Sequence, residues 1–553
     1  MLAPAPAPCT EAPLQTAPAA RAPLRYHRRT PGGAVQQPVT LAWETLPGRP
    51  SVPAAGGGGA RVLLVSAYEL GHQPLGLAAP AAALRAAGHE VRTLDLAVDA
   101  PAPAVLRDVD LVAISMPMHT AARIGLAFAR AARAASPAIT IACYGLYASP
   151  LHAQLVGPDR ADLVIGGEYE AGLCALADRV AGRTARDAAI PGAGAIPLRT
   201  RPRAAVPDRR GLPGLDRYAR VRRADGEHAA GYVEASRGCA HRCTHCPITP
   251  VYGGALRLVP REAVLADVAQ QVAAGARHIT FGDPDFLNAV PHSLAIAEEL
   301  HRRWPDLTYD ATIKVEHLID HAAVLPALRD SGCLFITSAF ESCNDAILAT
   351  LEKGHTAADL PVALRAAERA GLPVRPTWVA FTPWTSMEDL LAILDFVAEQ
   401  GLVRHVQPVQ YGLRLLLPPG SPLVERLAHE GRLGPFDGEG LTYIWRAVDA
   451  RVDALQAEIA ALVEAAAQPA AAAGCDCGDD ACARAAEPED AAITFTRVRR
   501  AAYAAAGREP PPPLTAPAGT LAGAPAVVIV PGLTEAWFCC AEPTARQLAP
   551  FAL

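Results

Sequence analysis

The 553-residue chain is poor in aromatics, which make up 5% of its residues, and has only four methionines. It has no excess of basic residues: 50 Lys+Arg stand against 56 Asp+Glu, a formal net charge of -6. That balance excludes a protein whose main task is holding nucleic-acid phosphate by bulk charge. No run of 18 or more apolar residues is free of charge and proline, so no membrane span is expected. The start, MLAPAPAPCTEAPLQTAPAA, lacks a basic region followed by an apolar one and does not read as a secretory signal. Thirteen cysteines are too few and too uneven for a disulfide scaffold. Six of them fall in two tight clusters, at 239–246 and 475–482, and two more are adjacent at Cys539-Cys540. Clustered thiols suggest metal or redox chemistry in a reducing, cytoplasmic setting.

What is present is an alternation of apolar runs and helical stretches. Residues 1–59 are rich in Pro, Ala and Gly and carry no sustained period, so disorder is expected there. From 60 to 185, five short strand-like runs (near 61–68, 90–96, 110–118, 139–145 and 161–170) alternate with helical segments. This is the pattern of a doubly wound α/β domain with a parallel sheet. Residues 186–230 read as a linker. Between 231 and 425 the alternation resumes with six runs, at 231–238, 276–284, 310–316, 333–342, 373–383 and 404–417. Six units predict a partial (β/α)6 barrel, whose chemistry belongs at the carboxyl ends of its strands. Residues 426–470 form a helical extension, with one helix over 441–467 whose packing stripe is Val448, Val452, Leu455, Ile459 and Leu462. Residues 471–553 complete this mostly helical or irregular C-terminal extension as a cysteine-containing low-complexity segment and tail, with a short strand-like AVVIV at 526–530.

The strongest motif is RGCAHRCTHC, which places Cys239, Cys243 and Cys246 directly after the first barrel strand. Three thiolates on one short loop can bind three irons of a [4Fe–4S] cubane and leave the fourth iron open. A zinc site using the same cysteines with His241 or His245 is the competing arrangement. Position at the first strand of a β/α series favours the cluster.

This run with the barrel behind it resembles the radical S-adenosylmethionine (SAM) superfamily, whose signature is CxxxCxxC after the first strand. The resemblance implies a [4Fe–4S] cluster whose open iron chelates SAM, and an external electron donor such as flavodoxin or ferredoxin. Many members carry an aromatic residue before the third cysteine. Here His245 stands there and could stack on adenine. By motif, Asp283 and Asp285 in FGDPDF, Lys314 in TIKVEHL and Glu341 in AFESCNDAILATLEKG are candidate SAM contacts, while Lys353 reads as structural. Gln407, Gln410 and Tyr411 are candidates for lining a small-molecule substrate cavity.

Residues 60–185 are similar to the cobalamin-binding domain that precedes the barrel in one branch of the superfamily. VLLVSAY, SMPMHT and DLVIGGEYE carry the similarity. It implies cobalamin contacts from Ser66, Tyr68, His72, Ser115, Met116, His119, Gly145 and Glu168. The chain lacks Asp-x-His-x-x-Gly, so no histidine motif replaces the cofactor's lower base. The terminal FCCAEPT resembles the tail of the CUAEP/CCAEP-tail radical SAM family, which implies a redox or soft-element-binding role for Cys539 and Cys540. Cys475, Cys477 and Cys482 are candidates for an auxiliary cluster or metal. The rival to an enzyme is a zinc-binding regulatory or scaffold protein on a non-catalytic barrel.

Overall fold

Runs of Val, Leu and Ile five or six residues long supply most of the first sheet. The strands are β1 (Arg61–Ser66), β2 (Glu90–Asp95), β3 (Leu111–Ser115), β4 (Thr140–Tyr144) and β5 (Leu163–Ile165). They pair in parallel in the order β2-β1-β3-β4-β5. The three central strands are buried almost from end to end, as parallel strands covered on both faces must be. Helices Leu75–Ala86 and Glu170–Val180 cover one face, and His119–Ala135 covers the other. Strand order reverses between β1 and β3, so the loops after Ser66 and Ser115 flank the crevice where such sheets bind ligands. The computed structural model describes residues 58–194, 205–467, 489–512 and 529–535.

The later strands are β6 (Arg220–Arg223), β7 (Gly226–Val233), β8 (Ser236–Gly238), β9 (Leu256–Leu258), β10 (His278–Phe281), β11 (Thr308–Thr312), β12 (Cys333–Glu341), β13 (Val374–Trp378), β14 (Leu433–Asp437), β15 (Thr442–Trp445) and β16 (Gly532–Leu533). Seven of them form one sheet in the order β13-β12-β11-β10-β7-β6-β16. The run from β7 to β13 is parallel. Helices Arg261–Ala273, Val290–Arg303, Asp359–Arg369 and Met387–Glu399 pack on its outer face through residues such as Val268, Ile296, Ala363 and Leu394.

Three expectations from sequence are corrected. The sixth barrel run, 404–417, is not a strand. Pro408 has no N–H to give a ladder, and Pro408–Gly412 coils into a 3-10 turn. A single bridge, Phe381 to Arg414, is what remains of the pairing, so five parallel strands and one bridged segment stand where six strands were expected. The stretch 186–230, read as a linker, contains β6 and the start of β7, which form an antiparallel hairpin. The helix expected over 441–467 begins only at Ala450. β15 precedes it, Val448 is exposed, and Val463 rather than Leu462 completes the buried stripe with Val452, Leu455 and Ile459. Of the strand-like run at 526–530, residues 526–528 lie outside the described residues; nearby, Gly532–Leu533 adds antiparallel to β6.

One helix had no forecast. Ala491–Ala505 packs Phe495, Val498, Ala502 and Tyr503 into the main core, and Arg499 and Tyr503 both bind Asp395. Among the described residues, no helix is long and apolar enough to cross a membrane.

Candidate active site

β7 ends beside the cysteine loop, and the chain enters that loop through Gly238. This glycine has φ +75°, and a Cβ on it would lie 2.3 Å from the Ala255 carbonyl oxygen. Only glycine passes there without a shift. Cys239, Cys243 and Cys246 follow, all free of disulfides, with Cys243 buried. The Cys246 N–H and the Thr249 hydroxyl both donate to the Cys243 carbonyl, at 3.2 and 2.8 Å. Thr244 ties the loop to the segment after β12, donating from N to Leu351 O at 3.1 Å and from Oγ1 to Thr350 O at 2.8 Å. Asn288 Nδ2 donates to Cys239 Sγ at 3.4 Å. Burial pushes the Cys239 thiol pKa up, and the Asn288 contact opposes it.

The residues expected at the strand ends gather around this loop. Asp283 is buried and accepts from the Ala235 N–H at 2.9 Å and from Ser236 Oγ at 2.5 Å, so it holds the approach to the cysteines. Burial raises its pKa to about 7. Asp285 caps Phe286–Ala289 and faces two histidines, with His317 Nδ1 at 2.7 Å and His241 Nε2 at 3.5 Å. Burial alone would raise Asp285; the two histidines hold it near 2. Lys314 Nζ lies 3.1 Å from both His241 Nδ1 and Glu316 Oε2.

Glu341 ends β12 at φ +63°, a left-handed conformation that a non-glycine residue holds only when its surroundings fix it. Those surroundings are the Val379 N–H on its carbonyl at 3.1 Å, Lys353 Nζ on its carboxylate at 3.0 Å and His245 Nε2 at 3.2 Å. Lys353 also feels the charge of Cys243 and Cys246.

Several residues proposed to line the sheet crevice are engaged by the barrel or by the segments that follow it. Glu168 accepts from Arg237 Nη1 at 3.1 Å and from Tyr252 OH at 3.2 Å. Tyr68 OH donates to Glu535 Oε1 at 2.6 Å. His72 stacks on Tyr232 of β7, ring centroids 4.8 Å apart, and burial lowers its pKa to about 4. His119 Nε2–H donates to Gly440 O at 2.7 Å, and burial takes it to about 4 as well. Ser66, Ser115 and Met116 stay buried at the carboxyl edge, and Ser66 Oγ has no partner among the described residues. Gly145 adopts φ +108°, and a Cβ there would lie 3.2 Å from the Met116 backbone. The unpartnered Ser66 hydroxyl fits a ligand at the crevice.

Gln407 and Gln410 line a cavity inside the barrel, while Tyr411 is buried away from it against Phe495. Cys539, Cys540, Cys475, Cys477 and Cys482 lie outside the described residues. The sequence reading missed Arg237, Asn288, His317 and Glu535. Arg237 alone left a signal, a charge inside a short strand two residues ahead of Cys239.

Residues 233–397 match the radical SAM superfamily, and residues 61–177 match the B12 binding domain. The hopanoid C-3 methylase of Methylococcus capsulatus is 25% identical over 322 residues, 56% of this chain and 62% of that protein. The ribosomal protein uS12 methylthiotransferase RimO of Thermus thermophilus is 28% identical over 193 residues, 31% of this chain and 43% of that protein. The chain spans between 38% and 62% of the length of the curated relatives it matches. Among solved structures, the radical SAM methyltransferase TsrM of Kitasatospora setae superposes with TM-score 0.54 at 21% identity, covering 67% of this chain and 76% of TsrM. The cobalamin-dependent radical SAM enzyme OxsB superposes with TM-score 0.55 at 14% identity, covering 72% and 66%. These likenesses agree with the order of the two sheets, and the chain carries a B12-binding domain followed by a radical SAM domain.

Proposed function

We propose that this chain holds a [4Fe–4S] cluster on Cys239, Cys243 and Cys246, binds SAM beside it, and transfers a methyl group to a small molecule with cobalamin held at the N-terminal sheet. The observation that carries the proposal is the three-cysteine loop, free of disulfides, that follows the first parallel strand of the stretch matching the radical SAM superfamily. His245 is tied to Glu341, and His241 lies between Lys314 and Asp285. A structural zinc site on these thiols needs a fourth protein ligand. A cubane with one open iron does not.

The donor set fits the groups that would bind. Three thiols on one pinned loop suit the cluster, and Lys353 offsets part of its negative charge. Lys314 and Glu341 offer a cation for the SAM carboxylate and a carboxylate for its ammonium or ribose. When bound, the reduced cluster supplies the electron that cleaves a carbon–sulfur bond of SAM. The protein's part is to fix the loop, to supply charges of both signs and to exclude water from the barrel. TsrM is described as a methyltransferase bound to tryptophan and a SAM analogue, and the hopanoid enzyme as a C-3 methylase, which supports methyl transfer here. The electron comes from an external donor such as flavodoxin or ferredoxin. Cys539 and Cys540 act as a redox pair or capture a soft element.

Anaerobic purification tests this. About four irons per chain are expected, falling to near none in the Cys239/Cys243/Cys246→Ala triple variant. Stoichiometric zinc without iron overturns the proposal. S-Adenosylhomocysteine among the products supports methyl transfer, whereas 5′-deoxyadenosine alone supports hydrogen abstraction without it. A cobalamin absorbance on reconstitution tests the N-terminal sheet. Activity in Cys540→Ser equal to wild type removes the role given to the tail.

A further inference from the structure

Three polar atoms shielded from solvent converge beside the cysteine loop. They are His241 Nε2, Asp285 Oδ2 and His317 Nδ1, and none has a hydrogen-bond partner among the described residues. Successive strand ends deliver them. His241 sits between Cys239 and Cys243, Asp285 follows β10, and His317 lies on helix Val315–Asp320 after β11. The carboxyl ends of parallel barrel strands are where such folds gather their working groups.

The distances are those of ligands around a shared ion. Asp285 Oδ2 is 2.7 Å from His317 Nδ1 and 3.5 Å from His241 Nε2, and all three atoms lie within 4.8 Å of one another. Ligands about 2.0–2.1 Å from a tetrahedral zinc stand about 3.3 Å apart, with their lone pairs aimed at the ion and not at each other. The Asp285 side chain is 3% exposed, and a carboxylate so enclosed needs a cation or donors. Its Oδ1 accepts from the Leu287 N–H at 3.1 Å, so Oδ2 is the oxygen left for the histidines. The histidine side chains are less enclosed, at 20% and 14%, and the site opens to solvent on their side.

We propose that these three side chains form a mononuclear site for a divalent first-row ion of the zinc–iron(II) class, distinct from the thiolate site. Two imidazoles and one carboxylate are a donor set such ions take, whereas magnesium and calcium call for oxygen ligands. Three protein ligands leave a position for water or a small anionic group. A bound ion needs the Nε2 lone pair of His241, which puts that ring's proton on Nδ1. Glu316 Oε2, 4.0 Å from Nδ1, is the carboxylate placed to receive it, and Lys314 Nζ, 3.1 Å from the same nitrogen, has to turn away. The site shares no ligand with the cysteines, so it stands or falls apart from the cluster and SAM.

Zinc dialysis with metal analysis tests it. The full chain is loaded with its cluster, passed over chelating resin and dialysed against zinc chloride with magnesium in excess. Wild type is expected to hold one zinc beside about four irons per chain. His317→Ala and Asp285→Asn are each expected to weaken zinc binding by about tenfold or more while keeping the iron. Asparagine keeps the Oδ1 that caps Phe286–Ala289, so the second variant retains the local fold. The Cys239/Cys243/Cys246→Ala triple variant is expected to lose its iron and still hold one zinc. The proposal is overturned if wild type holds no zinc beyond the cluster, if magnesium displaces it, if His317→Ala and Asp285→Asn bind zinc as wild type does, or if zinc disappears with the three thiols. Loss of iron and zinc together in both His317→Ala and Asp285→Asn also overturns it, because the trio would then brace the loop and not hold an ion. Wild-type protein that takes up no iron is a separate failure, of the cluster, and the zinc content of the triple variant then decides.

Discussion

Arg237, two residues ahead of the first cluster cysteine, donates through Nη1 to Glu168 at the edge of the N-terminal sheet, 3.1 Å away. The same guanidinium lies 2.7 Å from Glu170 and 2.9 Å from Glu234. One buried cation thus compensates three carboxylates and joins the B12-binding domain to the cysteine loop. Burial raises the pKa of Glu168 and of Glu234, with Arg237 opposing it in both cases. Arg237→Met leaves the carboxylates buried and uncompensated, at a cost of about 3–5 kcal/mol at pH 8. Removing the cation lifts their folded pKa values further above the unfolded ones. The variant's stability is then retained at low pH and lost as pH rises. Urea unfolding at pH 5 and pH 8 is expected to show the smaller deficit at pH 5. An equal deficit at both would mean the contact acts by packing alone.

Lys353 and Glu341 form the second buried pair. Burial by itself would raise the Glu341 pKa, yet Lys353 and His245 hold it near 2. A carboxylate held below its unfolded value of about 4.3 contributes stability above that pH, and the contribution fades as pH falls toward 2. Lys353→Met is expected to lower stability at pH 7 by about 3–5 kcal/mol and to flatten the acid limb of the stability curve. It should also lower iron retention, because Lys353 faces Cys243 and Cys246. Full iron content in this variant would remove Lys353 from the cluster's electrostatic support.

The elements legible in sequence were those whose pattern has one physical solution. Continuous apolar runs such as VLLV and LVAIS, flanked by helical segments, can only be buried parallel strands, and β1 and β3 formed where expected. The cysteine spacing pointed to the loop chemistry. Context decided the rest. The run 404–417 alternates like a strand, but Pro408 interrupts the ladder. RVRR at 220–223 looks like loop because three of its four residues are charged, yet it pairs with both β7 and β16. Among site residues, Glu341 and Lys314 were recognisable from strand-end motifs. Glu535 was not, since its partner Tyr68, whose hydroxyl donates to it at 2.6 Å, lies 467 residues away in the chain.

Asp283 gives a test of opposite sign from Glu341. Burial lifts its pKa to about 7, although Ser236 and Ala235 donate to it. A carboxyl whose folded pKa exceeds the unfolded value of about 3.9 contributes stability below that pH, and this is lost as pH rises to about 7. Asp283→Asn keeps an acceptor for the Ala235 N–H without ionising. It is expected to match wild type near pH 4 and to exceed it at pH 8 by about 1 kcal/mol or more, since one unit of pKa corresponds to about 1.4 kcal/mol. Thermal unfolding across pH 4–8 reads this as a flatter slope for the variant. A slope identical to wild type would mean that Asp283 is ionised throughout.

Two glycines with similar backbones separate strain from steric exclusion at the cysteine loop. Gly238 has φ +75°, and an added Cβ would meet the Ala255 carbonyl at 2.3 Å and the Tyr252 ring at 2.6 Å. Gly275, just past helix Arg261–Ala273, has φ +98° but nothing within 4 Å of an added Cβ. Gly275→Ala therefore carries only the left-handed penalty of about 1–2 kcal/mol and should keep its iron. Gly238→Ala must also displace backbone and push aside Tyr252, whose hydroxyl donates to Glu168 at 3.2 Å. Its iron content is expected to fall below half that of Gly275→Ala, even where the two variants melt at similar temperatures. Equal iron in both would show that the loop closes on the metal without the geometry that Gly238 imposes.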